Sequence, residues 1–78
     1  MSHRDHRTNV LLALAALYEE GAREHDQFAA DYAQVAAVLE RRGHGPEAVR
    51  AMEICRGHQV ACLRQQSNAA AIRACVAG

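Results

Sequence analysis

The chain has no tryptophan, no lysine, one proline, one phenylalanine and two tyrosines among 78 residues. Each scarcity removes a class of function. With equal numbers of acids and arginines the net charge is zero, so no global field directs the chain to nucleic acid or to an anionic membrane. Arg50, Arg56 and Arg64 recur along the second half, but Glu53 interrupts them and no stacking aromatics accompany them, so a solvated helix face explains them better than a phosphate track. No apolar run approaches the roughly 18 residues of a membrane span. "NVLLALAALY" after "MSHRDHRT" imitates a signal peptide briefly, but acids follow at once where a cleavage site would stand, and it reads as the start of an amphipathic helix. With three cysteines and no export signal, reduced thiols in a cytoplasm are expected. The chain also lacks a glycine-rich phosphate loop and any serine–base pair, Ser67 being the one serine outside the first few residues. A non-enzymatic protein without a cofactor is expected.

What the chain has in quantity is alanine, seventeen residues of it. Alanine is the best helix former but brings little apolar area to a core. A single domain of this size is already short of buried surface, so the composition predicts readily formed helices that complete their core on another surface.

Apolar residues recur at helical spacing from Val10 and Leu11 through Leu14, Leu17, Tyr18, Phe28, Tyr32 and Val35 to Leu39, predicting a first helix capped by Thr8 or Asn9 and running to about Arg42. Residues 1–7 read as a disordered tail and 8–78 as one domain. Gly21 marks a point where this helix could break. In "RRGHGPEAV", Gly43 and Gly45 suit a left-handed helix end and Pro46 the first turn of the next helix, which should reach about Val76. From Glu19 to Glu40 the chain carries six acids and one base; from Arg41 to Arg73 it carries six arginines and two acids. Oppositely charged halves suit antiparallel pairing. The predicted fold is all-α, an antiparallel αα-hairpin of two long helices. Its apolar stripe is wider than one neighbour can cover, which predicts pairing into a four-helix bundle as a homodimer, or docking on another protein.

The candidate chemistry is "MEICRGHQVACL", residues 52–63. Cys55, His58 and Cys62 share one helix face, and thiolate and imidazole suit zinc or copper(I). His25, on the first helix, is a possible fourth ligand. Counting symmetrically from the 43–45 turn, however, sets His25 opposite residues near 64 and His58 nearer Asp31 and Tyr32, so the ligands spread along the bundle. Ala48, Ala51, Ala69 and Ala70 lie on the face of Cys55 and Cys62, and buried free cysteine behaves as a small hydrophobe. Core packing is the preferred reading and no metal is expected. His25 and His58 need polar partners inside an apolar stripe, for which Tyr32, Gln65 and Gln66 are candidates.

"VLERRGHGPEAVRAMEIC" resembles the helix–turn–helix of one tetratricopeptide-type repeat. Chain length, acidic-then-basic helices and the glycine–proline turn also resemble the small helical-hairpin co-chaperones of type III secretion, which would imply a cytoplasmic protein that sheathes a partner's hydrophobic helix. The function expected is thus a protein–protein interaction module, an adapter, chaperone or inhibitor that buries an alanine-rich stripe against itself or a protein partner, with no nucleic-acid or membrane partner. A metal-holding bundle and a small phage-type inhibitor capping a larger complex are the alternatives. The expected contact residues are Leu11, Leu14, Tyr18, Phe28, Tyr32, Val35, Leu39, Met52, Ile54 and Leu63.

Overall fold

The computed structural model describes residues 5–78. Two helices account for nearly all of them: α1, His6–Arg41, and α2, Gly45–Ala77, with no strand among the described residues. They form an antiparallel hairpin 64 Å long and only 16 by 12 Å across. Its radius of gyration is 17.9 Å, against about 11.5 Å for a compact chain of this length. The molecule is one layer of two helices, not two packed layers.

α1 begins earlier than the sequence pattern implied. Asp5, in extended conformation, caps it by accepting a 2.8 Å hydrogen bond from the Thr8 N–H. An aspartate reaching the third helical N–H satisfies a donor that the helix itself cannot, so His6 and Arg7 join the helix instead of the expected tail; residues 1–4 lie outside the described residues. The Thr8 backbone bond is also the main reason that the Asp5 carboxyl sits below its ordinary value of 3.8. Gly21 does not break the helix, which runs on through it.

The connection sets the register of the hairpin. Gly43 has φ +79°, the left-handed conformation that glycine adopts without a Cβ penalty. Around it the Gly43 N–H donates to the Glu40 carbonyl at 3.1 Å and the His44 N–H to the Leu39 carbonyl at 2.9 Å, the paired bonds of a Schellman motif. The chain therefore doubles back so sharply that the residue entering α2 lies level with Leu39. Pro46 occupies the first turn of α2, and Glu47 adds an acid there, where the helix dipole favours it.

The buried residues follow a seven-residue rule. In α1 they are Ala15, Ala22, Ala29 and Ala36; in α2 they are Ala48, Cys55, Cys62 and Ala69, with Ala51 beside them. A sustained seven-residue repeat keeps one stripe facing its partner over the length of a coiled pair. Small side chains on both stripes let the backbones approach closely, and Ala22 with Cys62, and Ala36 with Ala48, line common crevices of the seam. The alanine-rich stripe, expected to be buried against the chain itself or a partner, lies inside the hairpin.

Candidate functional site

Among the described residues the fully covered core contains nothing bigger than cysteine, while Leu14 (38 % exposed), Phe28 (50 %), Val35 (46 %) and Ile54 (40 %) face outward, as do Leu17, Val49, Val60 and Leu63 elsewhere on the surface. On α1 the first three belong to a second stripe, Leu11, Leu14, Tyr18, Gly21, His25, Phe28, Tyr32, Val35 and Leu39, whose members alternate spacings of three and four without a break. That alternation is the signature of a seam for another helix. On α2 the same alternation passes through Ala51, Ile54, His58, Ala61, Gln65, Asn68, Ile72 and Cys75. The two stripes border one face of the hairpin, because their middle members touch. His25 and His58 approach Nδ1 to Nδ1 at 2.8 Å, Phe28 and Tyr32 stack on the His58 ring at 5.1 and 5.8 Å, and the Gln65 carboxamide lies against the backbone of Gly21.

This corrects the register drawn from symmetric counting. His25 meets His58 and not residues near 64, a displacement of more than one helical turn, because the Schellman turn folds α2 back level with Leu39. Each histidine's polar partner is the other histidine, where Tyr32, Gln65 or Gln66 had been expected; Tyr32 contributes its ring face instead. At this distance one Nδ1 donates to the other, and the tautomer decides which.

The Cys55–His58–Cys62 set does not converge. Both thiols are buried in the seam, whereas the His58 ring turns to His25 and the aromatic stripe. Among the described residues no three His, Cys, Asp or Glu side chains gather as a metal site. Cys75, near the C-terminal end of α2, is the exposed thiol. Comparison with family models, with curated proteins and with solved structures gives no match.

The sequence-predicted contact residues divide. Leu11, Leu14, Tyr18, Phe28, Tyr32, Val35 and Leu39 lie on the second stripe of α1, and Ile54 on that of α2. Met52 and Leu63 do not share that face. Met52 lines the crevice of Ala33, Ala36 and Ala37 near the turn, and Leu63 the crevice of Asp26, Gln59 and Gln66. Helical periodicity alone placed all ten on apolar flanks without separating the two sides. Ile72 was missed; its signal was the spacing of three and four that links it to Gln65 and Cys75.

Away from the turn, the opposite groove is polar. There the Arg73 guanidinium donates twice to the Glu19 carboxylate, Nε to Oε2 at 2.8 Å and Nη2 to Oε1 at 2.7 Å. This hydrogen-bonded pairing holds the Glu19 carboxyl below its ordinary 4.5 and raises Arg73. It is the one ion pair among the described residues, so the opposite charge of the two halves is realised between α1 and α2 at a single point. Glu19, Arg23, Asp26 and Gln66 line this side of the seam, and water competes for every partner. Among the described residues no helix is long and apolar enough to cross a membrane.

Proposed function

We propose that this protein is a non-enzymatic protein–protein interaction module, and that it docks through the face formed by the second stripe of α1 and the matching stripe of α2. The observation that supports this reading is the inverted distribution of bulk: alanine and cysteine fill the core, while Leu14, Phe28, Val35 and Ile54 stay in water. At about 25 cal/mol per Å2, apolar area left exposed is stabilisation that a partner surface would recover. A largely apolar strip exposed on a small chain marks an interaction site. Phe28 and Tyr32 are the natural anchors, since large aromatic side chains carry much of the energy at interfaces. An adapter, a chaperone that sheathes an apolar helix and a small inhibitor would all work through such a face, in a cytoplasm as expected from the reduced thiols. The test is the double variant Leu14→Glu, Val35→Glu, which charges the strip without touching the alanine seam. Circular dichroism should report an unchanged helix content, and light scattering the loss of any assembly formed by the parent chain. An assembly of unchanged mass and strength in the variant would overturn the assignment of this face.

A further inference from the structure

The occupant of this face can be named, on the footing of the docking reading above. We infer that it is a second copy of the same chain, related by a two-fold axis parallel to the helices, so that α1 of each copy lies on α2 of the other and four helices enclose one core.

Surface area argues first for a partner of the chain's own size. The chain exposes 5821 Å2, whereas a monomeric protein of 8.5 kDa exposes about 4,650 Å2. The excess, about 1,200 Å2 per chain, is surface that the elongated hairpin leaves unpacked; a second copy covering that much on each chain would make an interface of roughly 2,300 Å2, within the range of permanent dimers. A copy of equal length also covers the strip from end to end, which a short peptide would not.

Charge decides the orientation. The outer edge of the strip on α1 runs through Glu24 and Asp31, and the outer edge on α2 through Arg50 and Arg64. All four side chains are exposed. Placing α1 on the partner's α1 would set Glu24 and Asp31 against the same acids. Placing α1 on the partner's α2 sets acids against arginines along both margins.

Rotation about an axis parallel to the helices leaves every residue at its own height. Residues already level within one hairpin then become level between the two. Asp31 comes within about a turn of the partner's Arg50, and Glu24 within about a turn of the partner's Arg64, distances an arginine side chain spans. His25, level with His58 in its own chain, faces the partner's His58. The two histidine pairs meet as a polar layer with Phe28, Val35 and Ile54 on the side of the turn, while Gln65 and Asn68 add polar groups toward Leu14. Polar side chains within an otherwise apolar seam are the device by which coiled assemblies select one register.

The experiment is sedimentation equilibrium of the full chain at low salt, with two sets of exchanged charges. The parent should sediment at twice the 8.5 kDa chain mass. The variant Glu24→Arg, Asp31→Arg places arginine against arginine and should raise the dimer dissociation constant about tenfold or more, an effect that shrinks with added salt. Adding Arg50→Glu and Arg64→Glu should restore the parent constant to within about threefold, because every apposed pair again has opposite signs. A parent that remains monomeric at 100 µM, as about the concentration of a weak protein contact, overturns the second copy as occupant. Dimerisation that the four-fold exchange leaves as weak as in the first variant overturns the arrangement of α1 on α2. Dimerisation that survives Leu14→Glu, Val35→Glu refutes the docking face itself, and so separates failure of the earlier reading from failure of this one.

Discussion

The alanine seam makes a sharp prediction at Ala29 and its neighbour Ala30. Ala29 is buried between the helices and Ala30 is exposed on the next position round α1. Leucine adds three carbon atoms at either site and differs little from alanine in helix propensity. At Ala30 the new side chain enters water, and a surface change of this kind falls within about 0.5 kcal/mol of neutral. At Ala29 the same atoms enter a seam that admits only small side chains. The helices cannot splay to receive them, because the Nδ1 contact of His25 and His58 at 2.8 Å holds one side and the Schellman turn the other. Burying three carbons would gain about 2.4 kcal/mol if room existed. Without it, overpacking costs about 1 to 3 kcal/mol. For a chain of this size that is a fall in Tm of roughly 4 to 8 °C per kcal/mol. Thermal denaturation followed by circular dichroism, with both variants at one protein concentration, gives the comparison. Equal melting of Ala29→Leu and Ala30→Leu would refute the close seam, and with it the claim that the alanine stripe is used up within the hairpin.

Three further outcomes are expected. Cys55, 2 % exposed, should tolerate alanine far better than serine, whose buried hydroxyl costs about 1 to 3 kcal/mol where it finds no partner; a thiol-reactive dye on the folded chain should label Cys55 and Cys62 slowly, and their rapid labelling would contradict the seam. Phe28→Ala or Tyr32→Ala should weaken assembly by about 1 kcal/mol or more, the cost of losing an anchor, which concentration-dependent melting would register; coincident curves for parent and both variants would count against it. Asp5 and Glu19 both have carboxyls held below their ordinary values, by the Thr8 N–H and by Arg73 respectively. Their folded forms bind protons less readily than the unfolded chain, so their contribution is complete above the ordinary carboxylate range and is lost as pH falls through the lowered values. Melting between pH 6 and pH 2.5 should therefore decline more steeply for the parent than for Asp5→Asn, Glu19→Gln, and parallel curves would contradict the assignment.

Much of the architecture was legible in the residues because it is local. Apolar spacing and the glycine–proline punctuation led to two long helices joined at about residues 43–45, one residue from the observed link at 42–44, and hydrogen bonding within each helix realises that pattern without reference to distant residues. The cap at Asp5 was less legible, since Asp5, Thr8 and Asn9 are all good capping residues and only the folded chain shows whose oxygen reaches a free N–H. Gly21 looked like a weak point by propensity. Packing outweighs propensity there, because the missing Cβ is what lets the Gln65 carboxamide lie on α1.

The candidate site needed three dimensions. Cys55, His58 and Cys62 crowd one helix face in sequence, yet the two thiols enter the seam and the imidazole turns to the other side, a division that depends on where α1 stands. Residue types and their periods determined by themselves that the chain forms helices, where it turns, and that it carries more apolar stripe than one neighbour can cover. Only the tertiary structure decided which stripe is spent and which is left. The sharp fold at Gly43 sets the register that brings His25 to His58, and the small seven-residue stripes pack closest, so alanine and cysteine take the inside. The leucine and aromatic strip remains outside because, among the described residues, both helices already spend their small stripes on each other.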